Sequence, residues 1–217
     1  MELETTQDKW LLPYANKIIL DPKSYRKPLL DTQYNRPEGI VLHHTVSSDL
    51  SGTADYFCDV DGPVGIHFLI GPKGEIWQLS PMNKVCTHAG VPFKSPITGK
   101  EYQNVNKQFL GIEVVNLGPL VKHADGKYYD YWHREYKGII RHRELPRYTE
   151  YVDWVPFTID QENSVWKLVP WLCKRWEIPV EHVIGHYEYT RQKNDPIGGF
   201  ACGVAQDVRE YLKTLIV

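Results

Sequence analysis

Hydrophobic positions along the chain fall into short runs of apolar and β-branched residues that end in glycine or polar residues. The runs are GIVLHHTVSS (39–48), GIHFLIGPKGEIWQL (65–79), FLGIEVVNLG (109–118) and VEHVIGH (180–186). Runs of this length and composition predict buried strands. Within residues 65–79, two runs flank Gly-Pro-Lys-Gly, which predicts a hairpin with proline and glycine in the turn.

Two later segments have the spacing of amphipathic helices. Thr158 and Gln161 are placed as a capping box, which predicts that a helix begins there. The apolar face of this helix comprises Val165, Leu168, Val169, Leu172 and Trp176. Pro170 interrupts the helix, and we expect it to cause a kink. The last segment predicts a terminal helix with an apolar face formed by Val204, Val208, Tyr211, Leu212 and Leu215.

Strands and helices interleave along the chain, which predicts a single α/β domain with a central mixed β-sheet flanked by helices. Residues 1–38 are rich in proline and lysine, and we expect an N-terminal extension that packs on a domain of residues 39–217. Residues 119–156 are aromatic and charged and have no clear period. We interpret them as an insertion in that domain.

Composition excludes several classes of function. A net charge of −2 over 217 residues gives no basic surface for nucleic acid or an anionic membrane, so neither is an expected partner. No apolar run approaches the roughly 20 residues that a membrane span needs. The start, MELETTQDKW, lacks the basic and apolar parts of a Sec signal. The four cysteines form no CxxC pair, which disfavours a structural zinc site, and sequence cannot pair them as disulfides.

Candidate chemistry lies where two predicted strands end in histidine. His43 and His44 close one strand and point to opposite faces, and His186 closes another. Asp195 follows nine residues after His186, where a loop that folds back could supply a third ligand. Two imidazoles and a carboxylate suit zinc and leave a fourth position for a water with a lowered pKa. Lone histidines are usually core or surface residues, so this pattern alone does not decide the matter.

Two further residues have the chemistry of a hydrolytic site. Glu113 lies inside an apolar strand, where a carboxylate is costly unless it is paired or faces a cleft. Burial would raise its pKa towards that of a useful general base, whereas exposure on a polar sheet face would leave it inert. Lys193 lies two residues before Asp195 and could stabilise a developing oxyanion, or it could be an ordinary surface lysine.

The ordered set of motifs resembles the zinc-dependent N-acetylmuramoyl-L-alanine amidases of type 2. This superfamily also includes phage amidase lysozymes and peptidoglycan recognition proteins. The resemblance covers roughly residues 39 to 215. Besides the strand motifs already quoted, it is carried by THAG (87–90), LCKRWEIPVEHVIGH (172–186) and KNDP (193–196).

The resemblance implies a Zn²⁺ cofactor held by three ligands, His43, His186 and Asp195. It also implies that Lys193 is the lysine that stabilises the transition state and that Glu113 is the general base. Glutamate at this position is typical of the branch that acts on cytoplasmic anhydro-muropeptides. Other members instead place a tyrosine in the hairpin strand.

Three more positions follow from the resemblance. Ile66 stands where those other members have their tyrosine, which favours the glutamate variety of the machinery. His88 and Asn116 match positions that line the family's cleft, so both are candidates for substrate binding or for a structural role. Residues 187–192 lack the Pro-Gly found in many members, which leaves the geometry of this loop open.

The implied activity is hydrolysis of the amide bond between N-acetylmuramic acid and L-alanine in peptidoglycan or muropeptides, by a monomer. The alternatives are a non-catalytic muropeptide-binding module and a zinc hydrolase that acts on a different amide. Without a Sec signal, we expect synthesis in the cytoplasm, followed by action on the cell wall after lysis or export, or on cytoplasmic muropeptides. A phage endolysin, a recycling enzyme and an effector delivered into rivals all remain open.

Overall fold

The computed structural model describes residues 36–59, 64–143, 153–190, 193–196, 198–201 and 205–215. The described strands are β1 (Gly39–His44), β2 (Phe68–Ile70), β3 (Ile76–Gln78), β4 (Phe93–Lys94), β5 (Glu101–Tyr102), β6 (Phe109–Val114), β7 (Pro119–Lys122), β8 (Tyr128–Tyr129), β9 (Glu135–Tyr136), β10 (Arg141–His142), β11 (Asp153–Trp154) and β12 (Val183–Gly185). The described α-helices are α1 (Leu50–Cys58), α2 (Ile159–Trp176) and α3 (Ala205–Leu215). None of these helices combines the length and the apolar surface that a membrane crossing needs.

The central sheet has five strands in the order β12-β1-β6-β2-β3. The first four strands are parallel and β3 is antiparallel to β2, which confirms the predicted mixed sheet. In the register between β1 and β6, His43 lies opposite Glu113, and between β1 and β12, Leu42 lies opposite Gly185. Because parallel strands end at the same edge of a sheet, the carboxyl ends of β1, β6 and β12 meet at one rim.

One face of the central sheet packs against α2 and α3. The predicted capping box at Thr158 and Gln161 is present, and most of the predicted apolar face of α2 is buried. The helix continues through Pro170 to Trp176, so the predicted interruption does not end it. Buried residues on both sides of the proline hold the segment against the sheet: Val165, Leu168, Val169, Leu172 and Cys173.

The terminal helix α3 buries a narrower face than its sequence predicts. Val208 and Leu212 are fully buried in the core, whereas Tyr211 and Leu215 are both more than two-fifths exposed. The ring of Tyr211 packs at the edge of Trp166 on α2, with 4.8 Å between the ring centroids. Val204, the first residue of the predicted face, lies outside the described residues.

Two smaller clusters cover the opposite face of the sheet. One joins Val41, Phe109 and Ile184 to Phe93 and Tyr102 of the β4-β5 hairpin. The other packs α1 against the start of β2 and contains Ala54, Ile66, Leu69, Leu79 and Val115.

The segment that the sequence presents as an aperiodic insertion forms a second sheet in its described part. The strands β10-β11-β7-β8-β9 pair in this order as an antiparallel sheet. Each strand is only two to four residues long, and so short a strand has too few positions to display the alternation of polar and apolar side chains. Leu120 of β7 and Trp154 of β11 are buried.

The N-terminal extension is described only from Arg36, and the rest of that prediction lies outside the described residues. Glu38 accepts hydrogen bonds from Lys100 at 2.6 Å and from Tyr102 at 2.7 Å. Of the cysteines, Cys86 and Cys173 are buried and Cys58 is partly buried, and Cys202 is outside the described residues.

Candidate metal centre and its cleft

Three predicted ligands converge at the rim of the central sheet. The Nδ1 atom of His43 lies 2.8 Å from Oδ2 of Asp195, and Nδ1 of His186 lies 3.2 Å from the same oxygen. All three residues are buried, and one potential ligand atom from each lies within 4.8 Å of the other two. The register between β1 and β12 explains the convergence, because it places Leu42 opposite Gly185. His43 and His186 each follow one of these two residues, so both histidines reach the same rim.

His43 rather than His44 faces Asp195, because consecutive strand residues point to opposite faces. The His44 imidazole turns towards Gly118, whose φ of +76° favours glycine. A Cβ at position 118 would lie 2.5 Å from Cε1 of His44. Glycine at this position therefore makes room for the second histidine of the pair.

A chain of hydrogen bonds assigns the protons on His43. Nε2 of His88 lies 3.1 Å from the carbonyl oxygen of Phe109, which can only accept, so this nitrogen carries a hydrogen. Burial holds the pKa of His88 well below its usual value, so the ring is neutral and its Nδ1 is an acceptor. Nε2 of His43, 3.1 Å away, must then donate to it. A neutral His43 consequently directs the lone pair of Nδ1 towards Asp195.

This donor set suits a cation. Burial lowers the pKa of His43, although the neighbouring Asp195 opposes the change. Burial alone would raise the pKa of Asp195, yet its close contacts with His186 and His43 hold the pKa well below the usual value. An ionised carboxylate and neutral imidazoles are the protonation states that a divalent metal requires. A lone pair and a carboxylate oxygen 2.8 Å apart, with no proton between them, are best reconciled by a metal ion.

Glu113 is buried beside this cluster, and its Oε2 has no hydrogen-bond partner. Burial raises its pKa well above the usual value, and the negative charge of Asp195 raises it further, while Lys193 opposes both effects. Lys193 is exposed and lines the same cleft, and its charge also lowers the pKa of His43. The structure thus brings together all five residues predicted as ligands, base and stabilising cation.

The ligand loop after β12 turns back through a 3-10 turn, His186–Glu188, rather than through Pro-Gly. The backbone N–H of Tyr187 donates to the carbonyl oxygen of Asp195 at 3.1 Å, which closes the loop. Glu188 accepts from the N–H of Gly185 and receives two hydrogen bonds of 2.9 Å from the guanidinium of Arg209 on α3. Residues 191 and 192 lie outside the described part.

The two residues predicted for substrate contact are placed differently from each other. His88 lines the cleft, but its ring nitrogens are engaged with His43 and Phe109, and its backbone N–H donates to Asn106. Asn116 is not among the described residues that line the cleft. Its amide hydrogen bonds with the backbone of Pro156 and Gly118, which is the arrangement of a structural residue.

The cleft over the rim has a volume of about 1140 Å³. One of its walls comes from the second sheet, through residues that the sequence analysis did not single out: Tyr129, Asp130, Tyr131, Trp132, His133 and Arg134. The aromatic run YYDYWHREY (128–136) was the available signal. Its meaning depends on the fold, because only the tertiary structure places it beside His43.

The mixed sheet with a histidine-carboxylate cluster at its rim defines an amidase-like α/β fold. Solved structures with a similar fold include the following two. AmpDh3 of Pseudomonas aeruginosa, solved in complex with anhydromuramic pentapeptide, is 19% identical with a TM-score of 0.54, over 84% of this chain and 61% of its own. AmiD of E. coli, solved with the substrate anhydro-N-acetylmuramic acid-L-Ala-D-γ-Glu-L-Lys, is 21% identical with a TM-score of 0.51, over 88% of this chain and 60% of its own. The chain therefore spans about 60% of the length of either structure.

The sequence profile described as N-acetylmuramoyl-L-alanine amidase matches residues 33–198, and the chain belongs to this family. A comparison with curated protein sequences finds no significant match.

Proposed function

We propose that the protein is a zinc-dependent amidase that hydrolyses the bond between the lactyl group of N-acetylmuramic acid and L-alanine in peptidoglycan or muropeptides. The observation that carries the proposal is the approach of two imidazole Nδ1 atoms to one carboxylate oxygen, beside the buried Glu113, whose Oε2 has no hydrogen-bond partner. Family membership supports the amidase activity. The muropeptides bound to AmpDh3 and AmiD support the choice of substrate.

His43, His186 and Asp195 would hold the zinc ion. When bound, Zn²⁺ supplies Lewis acidity that polarises the substrate carbonyl and lowers the pKa of a water. Glu113 accepts a proton from the attacking water as the new C–O bond forms. It then delivers this proton to the alanine nitrogen as the C–N bond breaks, so that the products are a lactyl carboxylic acid and a free amine.

The environment of each residue suits its proposed role. The raised pKa of Glu113 makes its carboxylate a stronger base than an exposed glutamate, which favours proton transfer from water. Lys193, exposed at the wall of the same cleft, supplies positive charge to the substrate oxygen in the tetrahedral intermediate. Neither residue belongs to the three-residue ligand set.

The test separates metal binding from turnover. Glu113→Ala is expected to retain about one zinc per chain, because the ligands are untouched, and to lose roughly 10²- to 10⁴-fold in turnover because the general base is gone. Metal analysis and the release of stem peptides from purified sacculi and from soluble anhydro-muropeptides provide both measurements. Full activity in Glu113→Ala would contradict the assignment of the base.

The same assay separates the alternatives. A non-catalytic binding module would retain muropeptides without releasing peptide in the wild-type protein. A hydrolase of a different amide would contain zinc and leave both muropeptide substrates intact. Release from sacculi would support a lytic role, and release from soluble anhydro-muropeptides alone would support recycling.

A further inference from the structure

The wall of the cleft formed by the second sheet contains a tightly ordered turn, Asp130–Arg134. The buried carboxylate of Asp130 accepts from the backbone N–H groups of Trp132 and Arg134, both at 2.9 Å. The Nε–H group of Arg134 donates to the same carboxylate at 2.8 Å. The backbone N–H of Asp130 also donates to the carbonyl oxygen of Arg134 at 3.0 Å. The position of the residues between them is consequently fixed.

This turn presents two aromatic side chains to solvent. Tyr131 is 67% exposed and Trp132 is 60% exposed, and their ring centroids are 5.1 Å apart with the planes nearly perpendicular. Both residues line the cleft that contains the predicted ligands. Exposed apolar surface at the mouth of a cleft is typical of a ligand-binding site.

Trp132 is exposed but held in place. Its Nε1–H group donates to the carbonyl oxygen of Val46 at 3.0 Å, in the segment that leaves β1 three residues after His43. The second sheet therefore touches the chain that carries the first predicted ligand. Hydrogen bonds therefore hold Trp132 through both its backbone N–H and its ring N–H. Neither bond uses the flat face of the indole, which stays available to a ligand in the cleft.

The charges of the turn favour a neutral ligand. Arg134 is a cation of this turn and lies two residues after Trp132. Its charge is compensated by an ion pair in which Nη2 lies 2.7 Å from Oδ2 of Asp130. A carboxylate of a stem peptide would compete with that ion pair. An aromatic face beside compensated charges suits the apolar C–H face of a pyranose ring.

We propose that Tyr131 and Trp132 form a sugar-binding platform for the glycan strand, at the pyranose ring next to the muramic acid whose amide is cut. This inference rests on the proposed function for the identity of the substrate. A cleft of about 1140 Å³ is larger than the ~300–1,000 Å³ typical of small-molecule sites, so it has room for a neighbouring sugar as well as the stem peptide.

Binding is tested without catalysis by titrating Glu113→Gln protein with the tetramer of N-acetylglucosamine. The probe is the ¹⁵N indole spectrum, in which seven tryptophans give separate N–H signals. The signal that is lost in Trp132→Phe identifies Trp132. This signal is expected to shift with the oligosaccharide. A shift caused by free stem peptide but not by the oligosaccharide, or no shift with either, would overturn the proposal.

Turnover supplies the second arm, on a wild-type Glu113 background. Trp132→Ala is expected to lower kcat/KM on sacculi by roughly 3- to 10-fold, the range of a single aromatic contact, and to leave kcat/KM on a single-sugar muramoyl peptide unchanged. Trp132→Phe should retain most of the activity on sacculi. Ile139→Ser is the matched control, because Ile139 is 79% exposed in the same insertion and does not line the cleft.

Equal losses on both substrates in Trp132→Ala would also overturn the platform. The failure of the proposed function gives a different result. In that case the Trp132 signal would still shift with the oligosaccharide, while wild-type protein would release no peptide from either substrate.

Discussion

The rim of the central sheet and the wall formed by the second sheet face the same cleft with opposite kinds of surface. At the rim, His43, Glu113 and Asp195 are polar residues with less than a tenth of their surface exposed. At the wall, Tyr131 and Trp132 are aromatic residues with more than half of their surface exposed. Buried polar groups are costly and exposed aromatic groups leave apolar surface in water, so each region departs from ordinary packing in its own way.

The contrast suggests a division of labour between chemistry and recognition. Burial at the rim raises the pKa of Glu113, as the proposed general base requires. At the wall, hydrogen bonds hold Trp132 without burying its ring, as the proposed platform requires. If the division holds, substitutions in the two regions should affect different measured quantities.

The largest expected effect is at the rim. Asp195→Ala removes the oxygen that both imidazole Nδ1 atoms approach, so we expect less than about a tenth of the zinc content of wild type and no measurable turnover. Metal analysis after dialysis provides the measurement. The Trp132 indole signal should still respond to the N-acetylglucosamine tetramer. Stoichiometric zinc in Asp195→Ala would contradict the assigned ligand set.

A smaller effect is expected at His88, which contacts the predicted ligand His43 and is not itself a predicted ligand. His88→Leu removes the acceptor for Nε2–H of His43, and the loss of such an outer partner typically weakens metal binding by roughly 10- to 100-fold. His88→Gln offers both an acceptor and a donor and should restore most of the affinity. Competition with a chromophoric chelator measures the zinc Kd. If His88→Leu and His88→Gln bind zinc as tightly as wild type, His88 does not orient His43.

His67, the residue before β2, is expected to make the stability of the metal-free protein decrease at acid pH. Its ring accepts from the N–H of Gly111 and donates to the carbonyl of Lys84, and burial lowers its pKa to about 4. The unfolded chain binds this proton below about pH 6.5, and the folded chain only below about pH 4, so stability falls as the pH drops through that window. Between pH 7 and pH 5, this residue should contribute a loss of about 2 kcal/mol.

Urea unfolding of wild type and His67→Gln at the two pH values measures this contribution. The wild-type free energy of unfolding should fall by about 2 kcal/mol more than that of His67→Gln, whose amide does not titrate. The other buried histidines are present in both proteins, so most of their contribution cancels in the comparison. Equal losses in the two proteins would show that His67 binds its proton alike in the folded and unfolded chains.

The smallest expected effect is at the wall. Asp130→Ala removes the carboxylate that orders the turn without touching an aromatic ring, so activity on sacculi should fall by only about 2- to 5-fold. Its zinc content should equal that of wild type. A loss of zinc in Asp130→Ala would break the comparison, because it would mean that the two regions are not separable.

At the rim, local signals in the sequence predicted the strands and placed candidate histidines at their ends, but they did not decide which residues are ligands. The resemblance to the amidases implied His43, His186 and Asp195, and strand alternation explains why His43 and His44 face opposite sides. The role of the wall could not be predicted in the same way. Strands of two residues have no visible period, and the value of Trp132 depends on a hydrogen bond to Val46, 86 residues earlier in the chain. The link between His88 and His43 is also long-range, so a motif match alone could not distinguish a substrate contact from a supporting one.

The paired hydrogen bonds between Glu188 and Arg209 connect the terminal helix α3 to the candidate metal centre. Glu188 lies in the turn that begins with His186, and Arg209 also donates to the carbonyl of Val183, the first residue of β12. Fraying of α3 would therefore remove contacts that hold the turn after His186. By thermodynamic linkage, a cation bound at the rim would in turn tighten the docking of the helix. Metal binding at the rim and folding of the C-terminal helix would then be coupled, so that each favours the other.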